Sequence, residues 1–291
     1  LTGNILLQAQ RDIIALEDAD LNFVNQSSGT TITFQANRNI QLNASVDTNG
    51  GSIELQAGQN ISTQGIGTTP SIDNFGTFDG GKITINATGN IITEGDISSS
   101  GRSIISSSEV VNGGNGVNGG NILFISKKGT INTTAGSLES SGSTSAGDIT
   151  ITAFGNIATG IIRSHGSPDT GNINLTSNGG GIDTTAGMVI SGRNVPSSAG
   201  ITLKAAKNIT TGDIYGLGNN ISITSSDGFI DTRQGTLDSG LTAGNTGNIT
   251  LRSAGNITTG DILSSTGNLN AGDIMLTSLS GSIDTRAGKI D

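Results

Sequence analysis

Few residues in this chain could carry chemistry, and they are spread thinly along it. The one histidine, His165, lies in Ser164-His165-Gly166-Ser167-Pro168. A Ser-His-acid triad or a histidine-based zinc site would have to be built around it. The Gly and Pro beside it read as a turn, so the expected position is a surface loop. Carboxylates are the second source. Asp183, Asp231 and Asp284 each follow an isoleucine in the same local pattern, and paired acids or a calcium cluster with a nearby base would support polysaccharide cleavage. Asp148 and Asp273 stand where Asn or Lys occurs in other copies of a different pattern. The plainer reading of all five is turn chemistry, because Asp and Asn accept hydrogen bonds from nearby backbone amides. One stretch from Gly113 approaches the Gly-Gly-x-Gly-x-Asp calcium repeat, but Asn118 stands at the Asp position and there is a single copy. The Gly-Asn-Ile segments lack the helix and lysine of a phosphate loop. The sequence therefore assigns no catalytic, cofactor-binding or metal-binding residue and implies no cofactor.

The elements that would hold these residues repeat. A polar residue, Ile, any residue, an aliphatic or Phe, any residue, then Ala or Ser recurs eleven times, from Ile5-Leu7-Ala9 through Ile83-Ile85-Ala87 and Ile149-Ile151-Ala153 to Ile274-Leu276-Ser278. A period of two marks strands with one buried face. The other face is polar, as at Thr84 and Asn86 or Thr250 and Arg252. A second strand follows in two alternating forms, Asn-Ile-x-Thr-x-Gly as at Asn256, and Ile-Asp/Asn-Thr-x-x-Gly as at Ile131, Ile182, Ile230 and Ile283. The alternation gives a two-coil unit of about 50 residues. Both forms place Thr two residues after Ile, giving a column from Thr63 through Thr93, Thr133, Thr159, Thr184, Thr211, Thr232 and Thr259 to Thr285. That column is expected to face inward as a ladder of hydrogen-bonded hydroxyls. An ice-binding face is disfavoured, because outward pairs such as Thr150 and Thr152 are not sustained from coil to coil. A third, shorter strand reads Gly, any residue, Ile or Leu, as in Gly260-Asp261-Ile262.

Three short strands per coil predict an all-β fold, a right-handed parallel β-helix of about eleven coils, with its hand set by the parallel-crossover rule. At one strand spacing per coil the stack spans roughly 50 Å. Residues 1–291 read as a single β-helical repeat domain, a fragment of a longer protein, with a loop insertion near 101–120 and a less regular start before Phe34. The Gly113-to-Gly120 run in that insertion reads as a flexible loop.

Composition agrees. There are 46 Gly and 3 Pro, too many turns for a compact core and no Gly every third residue as in collagen. Aromatics are 3% with no Trp and Tyr215 the one tyrosine, which suits a narrow aliphatic core and leaves little to stack on sugars. The net charge of −9 disfavours nucleic acid and anionic membranes as partners. With no Cys, stability must come from stacking.

The strings at Gly255 to Ile262 (GNITTGDI), Ala271 to Ile274 (AGDI) and Gly281 to Asp291 (GSIDTRAGKID) resemble the repeats of filamentous-haemagglutinin-like exoproteins, nearest to the large cyanobacterial haemagglutinin-type surface proteins. The resemblance covers nearly the whole chain and is clearest after Gly120. It implies export by two-partner secretion through an outer-membrane partner, an extracellular or cell-surface location, and a role in adhesion or matrix. The family's secretion domain with its Asn-Pro-Asn-type motifs is not in this stretch. Together these readings predict a non-catalytic stalk or fibre segment of an adhesin or matrix protein. The alternatives are a polysaccharide lyase or hydrolase on the same scaffold, and a glycan-binding adhesin that uses the 101–120 loop. Expected partners are the secretion pore, cell-surface glycans or matrix, and further copies joined end to end through open strand edges.

Overall fold

In the computed structural model, residues 3–23, 29–68, 76–106, 109–112, 117–167, 169–192, 199–240, 246–264 and 270–291 are described, with backbone alone at 76–78, 102–106 and 109–112. The eleven copies of the first motif form one eleven-stranded parallel sheet in chain order. Register is unbroken: Ile5 lies over Ile32, Ile32 over Ile53, Ile53 over Ile83, and so on to Ile249 over Ile274. Interior strands such as Ile83–Ala87 and Ile149–Ala153 bury every second residue. Side chains alternate across a strand, so like aliphatics lie directly above one another at about 4.8 Å and fill a narrow core without aromatics.

Second strands such as Ile61–Thr63, Ile91–Thr93 and Ile257–Thr259 stack in the same way, and so do third strands such as Val46–Thr48, Ile66–Gly67 and Leu237–Asp238. In two coils the second and third strands run together as one bent strand, Ile131–Ser141 and Ile157–His165, which links both ladders into a nineteen-stranded sheet. The solenoid makes about nine turns, slightly fewer than the eleven coils expected from counting motifs. In the last coil the third strand is reduced to a single bridge between Ile262 and Ile290. The first coil, Ile5–Ala9, Ile13–Ala15 and Leu21–Phe23, keeps the common register despite its irregular sequence, yet its residues are only partly covered.

The longest step, from Ile83 to Ile122, leaves the register intact because Ile83 still pairs with Ile122. The insertion near 101–120 carries strands of its own. Arg102–Ser106 pairs antiparallel with Gly76–Phe78 on one side and Glu109–Asn112 on the other, a small sheet beside the stack. Of the run expected to be a flexible loop, 113–116 lies outside the described residues. Val117 is fully buried and Asn118 bridges Ser145, so its end is built into the solenoid. Buried Val117 anchors the return of the chain, a signal that the glycines around it mask.

The corners are closed by serine and glycine. Ser140 Oγ donates to the carbonyl of Gly120, which opens its own coil (2.9 Å), and accepts from the N–H of Gly147, which opens the next (2.8 Å). Ser164 repeats this with Gly147 and Gly171. A Cβ on Gly147 would lie 2.4 Å from the backbone of Gly120, so these glycines let successive turns approach closely.

Candidate functional site

The aspartates that could have done chemistry are bonded into the stack. Asp183, Asp231 and Asp284 sit on the outward face of the second sheet, each at the longer form of the corner. Asp183 Oδ1 accepts the backbone N–H of Thr185 (2.9 Å) and its hydroxyl (2.7 Å). Asp231 and Asp284 accept the N–H groups of Arg233 and Arg286 in the same way (3.1 Å each), and Asn132 that of Thr134 (3.0 Å). The side chain thereby substitutes for a backbone carbonyl and closes the three-residue corner after Ile-Asp/Asn-Thr. This explains the alternating second-strand motif. Where the corner is one Gly long, as at Thr211-Gly212 and Thr259-Gly260, the equivalent residues are Thr210 and Thr258 and no such bond is needed.

Arg233 and Arg286 also grip these carboxylates from the side, with Nη2 to Oδ2 at 2.6 and 2.7 Å. The side-chain bond from Arg233 holds the Asp231 carboxyl below the usual carboxylate range, and Arg286 does the same for Asp284. Both carboxylates accept these bonds from the neighbouring arginines. Within the pairing order they are separated by intervening coils at Thr210 and Thr258, so no two face each other directly.

Asp148 and Asp273 belong to a second column. The Asp148 N–H donates to Asn121 Oδ1 (2.9 Å), and Asp148 Oδ1 accepts from Asn172 N–H (2.7 Å). Asp273 N–H likewise donates to Asn248 Oδ1 (2.8 Å). A third column precedes the second strands, with Asn60 capping Asn90, Asn90 capping Thr130 and Asn256 capping Ser282. A fourth precedes the third strands, where Asp96, Asp213 and Asp261 cap Ser137, Thr236 and Lys289. Each side chain caps the amide one coil further on, at the point where the chain bends and the ladder would otherwise leave a donor without an acceptor.

His165 departs from expectation. It closes the strand Ile157–His165 and is not a loop residue, with Pro168 just outside the described residues. The parallel register places Ser141 beside it and Glu139 beside Arg163, so a hydroxyl, an imidazole and a carboxylate share one patch. Its Nε2 is 3.8 Å from Glu139 Oε1, an ion-pair distance longer than a hydrogen bond. Ser141 Oγ donates to Ser100 Oγ (2.8 Å), away from the imidazole. The three groups are neighbours, brought together by the parallel register of the two strands. The local sequence hides this patch, because Glu139 and Ser141 meet His165 only through stacking.

Shallow, open depressions lie on the nineteen-stranded sheet. One is lined by Asn156, Asp183, Lys207, Asn208 and Thr210 and holds a single carboxylate. Another contains Asp47, Gln64, Asp96 and Ser98 over a floor of Gly65, Gly67 and Gly95. The Asp47 carboxylate leans across Gly67, where a Cβ would meet its Oδ1 at 2.3 Å. Desolvation of the carboxyl by the adjoining coils raises its pKa, although the residue as a whole is exposed and solvent screens much of the effect. A carboxyl that holds its proton more tightly when folded stabilises the fold at acid pH and loses that contribution as pH rises through the raised value. Asp47→Asn is therefore expected to raise the thermal midpoint at pH 7 and to leave it unchanged near pH 3. Melts across that range check it, and a lower midpoint at pH 7 would contradict it. The absence of a side chain at Gly67, one coil above, is the signal for this site that the sequence carries. Among the described residues, no three His, Asp or Glu side chains converge as a metal site.

Stacked parallel coils closed by columns of Asx, Ser and Gly define a β-solenoid repeat protein. Compared with known proteins, the chain matches no family model, no curated protein and no solved structure.

Proposed function

We propose that this chain is a non-catalytic structural segment, a stalk or fibre, of a secreted or cell-surface adhesin or extracellular matrix protein. The observation that carries the reading is the use of the acids: Asp96, Asp148, Asp183, Asp213 and Asp261 all cap backbone amides, four of them in the next coil. Groups committed to holding turns together suit a spacer, whose task is to keep distant modules apart. The resemblance to filamentous-haemagglutinin-like repeats supports an extracellular location and export through an outer-membrane partner. Core-column apolar residues left exposed at the two ends, Leu7 on one and Ile283 and Ile290 on the other, fit end-to-end contact with further copies.

A glycan-binding reading has one specific feature in its favour. The small antiparallel sheet at 76–78, 102–106 and 109–112 breaks the uniform side of the rod, and ligand-specific surfaces concentrate on such insertions. The test is incubation with acidic and neutral polysaccharides, followed by assay for new reducing or unsaturated ends, beside glycan arrays on the chain with and without the 102–116 insertion. No cleavage and no insertion-dependent binding are expected of a spacer. Turnover of any polysaccharide would sink the non-catalytic reading, and binding lost only with the insertion would favour the adhesin.

A further inference from the structure

The expected ladder of threonine hydroxyls is not what the column forms. Thr63, Thr93, Thr133, Thr159, Thr184, Thr211, Thr232 and Thr259 are at most 1% exposed, and the Oγ1 of each has no hydrogen-bond partner. Among the described residues these are the only buried side-chain polar atoms left without one. They occupy equivalent inward positions in eight successive coils, Thr63 opposite Thr93, Thr133 opposite Thr159, and Thr232 opposite Thr259. The buried serines one strand further on are bonded to corner glycines, so the lack of partners is specific to the threonines.

Geometry explains the failure of the direct ladder. Hydroxyls in adjacent coils lie one strand spacing apart, about 4.8 Å. A hydroxyl-to-hydroxyl bond needs 2.5–3.0 Å between oxygens. That gap suits one intervening oxygen. At about 2.8 Å from each neighbour, a water would sit about 1.4 Å off their line and see them at about 118°, close to its preferred angle. Each threonine can donate to one side and accept from the other. What sets the eight hydroxyls apart is their place, one at the same inward position in each of eight successive coils.

We propose that the threonine column binds an internal file of water, one molecule between each pair of successive hydroxyls, running along the solenoid axis. The alternating file forms a continuous chain of hydrogen bonds through eight coils and couples each turn to the next. The column is thus a solvent-binding site inside an otherwise aliphatic core.

The test is an isosteric pair of substitutions, Thr184→Val and Thr211→Val, singly and together. Val keeps the branched shape and removes the hydroxyl. Long-lived internal waters are counted by oxygen-17 and deuterium magnetic relaxation dispersion, and thermal midpoints are measured alongside. The double variant is expected to lose at least two long-lived waters and to melt no higher than the parent. An unchanged water count, or a raised midpoint, would overturn the proposal, because dry orphaned hydroxyls gain from replacement by methyl groups. Should the double variant fail to fold, an atomic-resolution crystal structure of the unsubstituted chain decides. Ordered water between successive Oγ1 atoms supports the file, and hydroxyls packed against carbon overturn it.

Discussion

An Ile223→Asp chain is expected to lose most of its cooperative thermal transition at pH 7. Ile223 is fully buried, with Leu203 directly below and Leu251 directly above. Removing it forfeits roughly 1.5–3 kcal/mol of burial. Placing a carboxylate between two leucines adds several kcal/mol more, because no partner is within the column. The total, above about 5 kcal/mol, matches the whole stability of many domains. Since each coil contacts only its neighbours, the damage divides the stack at that rung. The buried carboxyl resists ionisation, so the loss is expected to be smaller at pH 3 than at pH 7. The internal control is one residue away. Thr224 points outward between Lys204 and Arg252, and Thr224→Asp there should change stability by about 0–1 kcal/mol. Equal melts for the two variants would show that the alternation of faces is wrong.

The second large effect is expected from Gly147→Val. The glycine opens a coil and lies on the backbone of Gly120, while Gly171 lies on it in turn. A Cβ at Gly147 would fall 2.4 Å from Gly120 backbone atoms, and Gly120 is itself held by its N–H to Ser99 Oγ and by Ser140 Oγ at its carbonyl. The same residue donates its N–H to Ser140 and accepts at its carbonyl from Ser164. Any shift that relieves the clash stretches both bonds. A loss of about 3 kcal/mol is expected, at the upper end for overpacked sites. Denaturant unfolding would measure it, with Gly3→Val as reference because a Cβ there meets nothing within 4 Å. Gly3 has positive φ (114°), so some strain is expected in the reference too, but no clash. A Gly147 variant as stable as the Gly3 variant would remove the close-approach explanation for the glycine content.

Reading of the sequence succeeded where the information was local and periodic. Ile-x-Leu-x-Ala with polar residues between specifies a strand, its buried face and its register, and the eleven copies stack as read. The same local logic identified the aspartates as turn residues, and Asp183, Asp231 and Asp284 do cap corner amides. It failed where the outcome depends on a neighbour one coil away. His165 looked like a turn residue from Gly166 and Pro168, but pairing with the strand that holds Ser141 draws it into the sheet. The glycine run from Gly113 looked mobile, but its end is anchored by buried Val117.

The threonines mark the boundary between the two kinds of information. That Thr63 to Thr259 face inward follows from spacing alone, because Thr shares the parity of the preceding Ile. Whether stacked hydroxyls can bond to one another depends on the distance between coils, which the backbone ladder sets at one strand spacing and no residue type alters. The chain by itself determined the period, the buried face and the corner chemistry, since these depend on residues a few positions apart. Only the tertiary structure decided the partners across coils, because segments 20 to 39 residues apart in sequence meet at a separation fixed by backbone hydrogen bonds.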